Sequence, residues 1–175
     1  NPAVDYCEQH PEETRAINVE GSLNICRLAK EVGSVLIFFS SDYVFDGTKG
    51  APYDETDAPC PISVYGRSKA EGERVALAYA RGVVVRPSTL FGAGRSNFCD
   101  MIVRGALEGG VVEAFIDQTT SPTFTDDMAE AIGGLITVLA PGRQDMPRII
   151  HTANASGCTR LAFAHRVVDL LGRPR

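Results

Sequence analysis

The apolar positions along the chain follow two different periods, and the period switches repeatedly. Between residues 11 and 32, Ala16, Val19, Leu23 and Cys26 recur at spacings of 3, 4 and 3, and Ile25, Leu28, Ala29 and Val32 widen the stripe. That periodicity predicts a helix. Pro11 suits its first turn, Glu12 and Glu13 suit its positive end, and Gly33 suits its stop. The run VLIFFS at 35–40 is apolar throughout, as in a strand buried on both faces of a parallel sheet. A polar loop rich in Gly and Pro follows, SDYVFDGTKGAPYDETDAPCPIS, and a helix is expected over roughly 64–80.

The second half repeats the alternation. VVVR at 83–86 reads as a buried strand stopped by Pro87, and NFCDMIVRGALEG as a helix. VVEAFI at 111–116 reads as a short strand. TDDMAEAIGGLITVLA reads as a helix with Thr125 as N-cap and acids in its first turn. RIIHTA reads as a strand, and CTRLAFAHRVVDLLG as a last helix with Leu161, Ala164, Val168 and Leu171 on one stripe. Strands alternating with helices along the whole length predict an α/β fold with a mainly parallel sheet.

Composition narrows the function classes. The chain has 175 residues, 44% of them hydrophobic and 22% charged, which fits a folded domain with a sizeable core. A net charge of -5 and no basic block argue against a nucleic-acid partner. No apolar run approaches a membrane span. The five cysteines, Cys7, Cys26, Cys60, Cys99 and Cys158, are scattered, with no C-x-x-C and no histidines at metal-ligand spacing. Reduced thiols, a cytoplasmic location and no metal are expected. The chain lacks an initiator Met and enters helix-forming sequence almost at once, which predicts a fragment of a longer chain.

The candidate chemistry clusters where three successive elements end. Ligands in open α/β sheets bind beyond the carboxyl ends of the strands. Ser40, Ser41, Asp42 and Tyr43 follow the first strand, and RPSTLFG follows the next. Between them SVYGRSK places Tyr65 and Lys69 four residues apart, on one helical face. A free phenol has a pKa of about 10, and lowering it by about 3 pH units takes about 4 kcal/mol. An ammonium about 4 Å away at an effective dielectric of about 20 supplies roughly that much. By spacing alone the pair reads as a common surface Tyr–Lys pair or, in a partly desolvated pocket, as a proton donor tuned by a cation.

These segments carry a resemblance. SSDYVFDG, PYDETDAPCPISVYGRSKAEGE and VVVRPSTLFG look like the extended short-chain dehydrogenase/reductases. Within that superfamily they are most similar to the dTDP-4-dehydrorhamnose reductases. Asp117, Gln118, Pro122 and Thr123 in IDQTTSPTFTDDMA and the opening AVDYCEQHPEETRAINVEGS extend the similarity over nearly the whole chain. The resemblance implies a Rossmann-like doubly wound sheet, incomplete at the N-terminus, with a small C-terminal substrate-binding part. Residues 1–90 would be what remains of the dinucleotide-binding domain, and 91–175 a mixed substrate-binding region with the final elements.

The implied reaction is reduction of a nucleotide-linked 4-keto-sugar by NADPH or NADH, in a possible homodimer. Ser41, Tyr65 and Lys69 would be catalytic. Asn18, Tyr65, Lys69, Arg86 and Pro87 would lie on the cofactor side, and Ser41, Asp42, Tyr43 and Thr89 on the substrate side. Glu55 and Glu73 are expected to be loop and helix supports, His151 and His165 to be structural, and Asp126 and Asp127 to be helix N-terminal charges. The superfamily's glycine-rich dinucleotide loop is absent: FGAGRSN at 91–97 has no third glycine at the needed spacing. Thr89 stands where the reductases usually carry Trp, and this chain has no Trp. Two other readings share the fold: a sugar-nucleotide epimerase or dehydratase, and a non-catalytic regulatory subunit similar to the methionine adenosyltransferase beta subunit.

Overall fold

The computed structural model describes residues 4–94, 96–139 and 146–173. In chain order the elements are α1 (Val4–Gln9), α2 (Pro11–Arg15), a π-helical turn (Ala16–Glu20) and α3 (Gly21–Val32). They continue with β1 (Leu36–Phe39), a 3₁₀ turn (Asp42–Val44), α4 (Val64–Leu77), β2 (Gly82–Pro87), β3 (Leu90–Phe91) and α5 (Phe98–Glu108). The rest are β4 (Thr119–Thr120), β5 (Thr123–Phe124), α6 (Thr125–Leu139), β6 (Ile149–Thr152), β7 (Cys158–Thr159) and α7 (Arg160–Leu170). The fold is α/β, as the alternating periods predict.

Two compact units divide the chain, Asn1–Pro87 with Leu135–His151, and Ser88–Gly134 with Thr152–Arg175. The first boundary falls at Pro87, and the chain returns to the first unit to supply β6.

The first unit holds a three-stranded sheet in the order β1-β2-β6. β1 and β2 run parallel, with Leu36 opposite Gly82 and Phe39 opposite Val85. Every residue of β2 is buried, because the strand is flanked on both sides. β1 is different. It lies at an edge of the described sheet and is only half-buried, with Phe39 44% exposed, so the expectation of a strand covered on both faces fails there. The π turn and α3 share the open side: Val19, Cys26 and Ala29 are buried, whereas Ile17, Ile25, Leu28 and Val32 are exposed. Together the π turn, α3, β1 and α4 line an apolar groove of about 570 Å³ that includes Ile17, Ile25, Leu36 and Val75.

The predicted helix over 11–32 forms with a π turn in its middle and stops at Gly33, whose φ of 66° suits a residue without Cβ. α4 starts at Ser63, whose hydroxyl accepts from the Gly66 amide at 2.9 Å, and the Glu8 carboxylate of α1 accepts from the Val64 amide at 2.5 Å. Both satisfy amides that the first turn leaves free.

In the second unit β3 pairs parallel with β5, and β4 antiparallel with β7. α5 begins with a reciprocal capping box between Asn97 and Asp100. Its predicted successor, a strand at 111–116, does not form. Three of the apolar side chains that suggested it find little cover: Val111 is 94% exposed, Phe115 69% and Ile116 72%. An apolar run specifies a strand only when a ladder and a core are there to receive it.

Candidate active site

β1 ends at Phe39, and the chain turns at once. The Ser41 hydroxyl accepts from the Tyr43 amide at 3.3 Å, capping the 3₁₀ turn, and donates to the Asp42 carboxylate at 3.0 Å. Ser41 is also in hydrogen-bond contact with the Tyr65 phenol in the first turn of α4. The Tyr43 ring meets Tyr65 edge-on, with centroids 5.7 Å apart. Strand end and helix start thus bring Ser41, Asp42, Tyr43 and Tyr65 together. Packing there is close: a Cβ on Gly66 would fall 2.2 Å from the Tyr43 carbonyl oxygen.

Lys69 follows Tyr65 by one turn of α4, and its ammonium lies over the Phe38 ring, 4.6 Å from the centroid. Among the described residues it has no hydrogen-bonded acceptor. Burial holds Lys69 below the usual lysine range, and the nearby Glu73 carboxylate partly offsets this. Burial likewise pushes the Tyr65 phenol above its ordinary value, the Ser41 contact opposes this, and the Asp42 charge adds to it. The downward tuning of Tyr65 expected from the Tyr65–Lys69 spacing is therefore not what the site does. Desolvation of the phenolate outweighs the stabilisation within reach. The proton is held on the phenol, which suits an acid that gives its proton only to a stronger base.

Beneath these residues lies a polar network that sequence reasoning missed in part. Glu73 is 3% exposed and accepts two bonds from Arg86, Nε to Oε1 at 2.8 Å and Nη2 to Oε2 at 2.7 Å. The Ser40 hydroxyl donates to Glu73 Oε1 at 2.5 Å. Arg86 Nη1 lies 3.3 Å from His151 Nε2, and because an arginine can only donate, that nitrogen is the acceptor. The guanidinium also stacks on Phe45 at 5.1 Å. Arg86, expected on the cofactor side, is thus spent in the core, with Pro87 ending β2 beside it. Glu55 accepts from the His151 amide at 2.8 Å and ties the 42–63 loop to β6, the support role expected of it.

Asn18 is buried in the π turn, not solvated, and donates to the Ser68 hydroxyl at 2.9 Å. Ser68 in turn donates to the Tyr65 carbonyl at 2.7 Å. Ser68 carried no sequence signal beyond being polar between Tyr65 and Lys69. Thr89 lies in the second unit, where its carbonyl accepts from the Thr123 amide at 2.8 Å. There Gln118 accepts from Arg160 Nε at 3.0 Å, and Asp127 accepts from Asn154 at 2.6 Å. Asp126 and Asp127 occupy the first turn of α6, as expected of helix N-terminal charges. Among the described residues no group of three His, Cys, Asp or Glu side chains could hold a metal ion, and no helix is long and apolar enough to cross a membrane.

Known proteins resemble this chain in sequence and fold. Residues 2–175 match the RmlD substrate binding domain. The dTDP-4-dehydrorhamnose reductase of Streptomyces griseus is 36% identical over 172 residues, 97% of this chain and 56% of that protein. The reductase of Escherichia coli K12 is 35% identical over 158 residues, 90% of this chain and 52% of that one. Among solved structures, the Bacillus anthracis dTDP-4-dehydrorhamnose reductase in complex with NADP superimposes with a TM-score of 0.90 at 29% identity, over 99% of this chain and 60% of that one. The Sulfolobus tokodaii protein, a hypothetical dTDP-4-dehydrorhamnose reductase, gives 0.89 at 32% identity, over 100% of this chain and 60% of that one. The chain spans little more than half the length of the curated relatives it matches, and over that span it belongs to the RmlD substrate binding domain family.

Proposed function

We propose that this chain is the proton-donor part of a reductase that converts a nucleotide-linked 4-keto-sugar, dTDP-4-dehydrorhamnose or a close relative, using NADPH or NADH. The observation that carries this is the contact between the Ser41 hydroxyl and the protonated Tyr65 phenol, with the Lys69 ammonium one turn further along α4. The relatives at 35–36% identity are named as that reductase, and a solved neighbour holds NADP.

The residues present fit such a cofactor. A buried ammonium over an aromatic ring, with three donors and no hydrogen-bonded acceptor among the described residues, suits the hydroxyls of a nicotinamide ribose. The bound cofactor would supply the hydride. Tyr65 would give its proton to the carbonyl oxygen as negative charge develops there. Ser41 would turn its hydroxyl from Asp42 to the same oxygen and stabilise that charge. Asp42 and Tyr43, beside them, would meet the sugar. The glycine-rich loop that holds the pyrophosphate would lie in the part of the relatives' length that this chain does not span.

The test is NADPH oxidation by the whole protein with dTDP-4-dehydrorhamnose. Tyr65→Phe should lower kcat by about 10²–10⁴-fold, the range for losing a positioned acid. Turnover unchanged in Tyr65→Phe would overturn the assignment.

A further inference from the structure

Glu73 stands where α4 meets the end of β1 and strand β2. It lies four residues after Lys69 on α4. Its carboxylate receives Ser40, the residue that joins β1 to Ser41, and is clamped in two bonds by Arg86 of β2. Arg86 reaches on to His151 of β6. One carboxylate thus connects the helix of Tyr65 and Lys69 to all three strands of the sheet. A helix support needs none of this. A glutamate on the exposed face of α4 would serve propensity as well, whereas this one sits 3% exposed with its acceptors aimed at the strand end.

We propose that Glu73 is a positioning residue for the site: it fixes the strand that ends at Ser41 against the helix that carries Tyr65 and Lys69. The inference rests on the reading of Tyr65 and Lys69 as catalytic. Burial works against the charge on Lys69, and Glu73 is the carboxylate that works for it. The other groups around this pair are fixed by geometry. Arg86 and His151 face Glu73 from β2 and β6, Glu55 holds the His151 backbone, and Asp42 and Cys7 act on Tyr65 from the 3₁₀ turn and α1.

The chain has three lysines, Lys30, Lys49 and Lys69, so their side-chain signals can be followed singly. With ¹³Cε-labelled lysine, the pH titration of each is read by NMR in this chain and in Glu73→Gln. The Lys69 midpoint should move to lower pH, with Lys30 and Lys49 unmoved. Glu73→Gln leaves Arg86 charged and buried without its partner, which endangers folding. Glu73→Gln/Arg86→Gln removes both charges, so its Lys69 midpoint should move less than in Glu73→Gln, while whole-protein turnover should still fall because the clamp between α4 and the strand end is gone. A Lys69 midpoint that stays put in folded Glu73→Gln, or whole-protein turnover unchanged in the double variant, overturns the proposal. In the whole protein the basic limb of the kcat profile should move with the Lys69 midpoint. A whole protein inactive on the keto-sugar would defeat the reductase reading and leave the NMR result to stand or fall by itself.

Discussion

The Asn18 amide and the Ser68 hydroxyl meet at 2.9 Å across 50 residues of sequence, joining the π turn to α4, which carries Tyr65 and Lys69. A π turn inserts a residue into the helical ladder and re-aims the side chains around it. Here it coincides with a polar residue turned into the core. Ser68 passes the contact on to the Tyr65 carbonyl, so the seat of α4 depends on a helix that is distant in sequence.

Ser68→Ala removes both of these bonds from a buried position. It should destabilise the chain by about 1–3 kcal/mol, the cost of stranding a buried polar group. Asn18→Ala in the same background should then cost less than it does alone, because the two residues share one interaction. Urea unfolding of the two single variants and the double variant measures the coupling. Strict additivity would show that the contact carries no energy.

Two glycines of α4 should respond differently to Ala. A Cβ at Gly66 would meet the Tyr43 carbonyl oxygen at 2.2 Å, and backbone cannot yield without displacing the 3₁₀ turn. A Cβ at Gly72 would meet the Phe38 ring at 2.3 Å, and a side chain can rotate aside. Overpacking costs about 1–3 kcal/mol where the neighbour can adjust. Gly72→Ala should fall in that range, and Gly66→Ala above it, with loss of whole-protein turnover. Thermal melts of both variants give the order.

Asp46 anchors the loop. Its carboxylate accepts first from the Thr48 amide and also from the Tyr53 and Thr48 hydroxyls, and these hold its pKa down to about 2 from an ordinary 3.8. Because the folded value lies below the unfolded one, the unfolded chain binds more protons between them. The contribution is complete above pH 3.8 and is lost as the pH falls through about 2. Asp46→Asn should therefore be less stable than the native chain at neutral pH, and the difference should shrink across that acid window. Urea midpoints taken at several pH values check the sign.

The 175-residue chain by itself should bind NADPH weakly or not at all. No G-x-G-x-x-G occurs in it, and a pyrophosphate rests on the backbone amides of such a loop at a helix N-terminus. Calorimetric titration is direct, and micromolar binding would refute the placement of the cofactor.

Local pattern determined most of the fold. The 3.6-residue stripes predicted α3 and α7, and Gly33 stops α3 as its residue type suggests. The VVVR run became the fully buried β2. The same run logic failed at VLIFFS and VVEAFI, because burial belongs to the neighbours as much as to the segment. β1 lies at an edge of the described sheet, and 111–116 has no partner strand among the described residues.

For the candidate site, the sequence determined identities and order. Ser41 comes at a strand end, and Tyr65 and Lys69 lie one helical turn apart. Tertiary structure decided their electrostatics and their support. Spacing shows that an ammonium is near a phenol but says nothing of how much water either has lost, and burial turned the expected lowering of Tyr65 into a rise. Glu73, Arg86 and His151 are separated by 13 and 65 residues. Nothing local links them, since a buried ion pair exists only once the sheet has brought β2 and β6 under α4 and removed the solvent that would otherwise screen it.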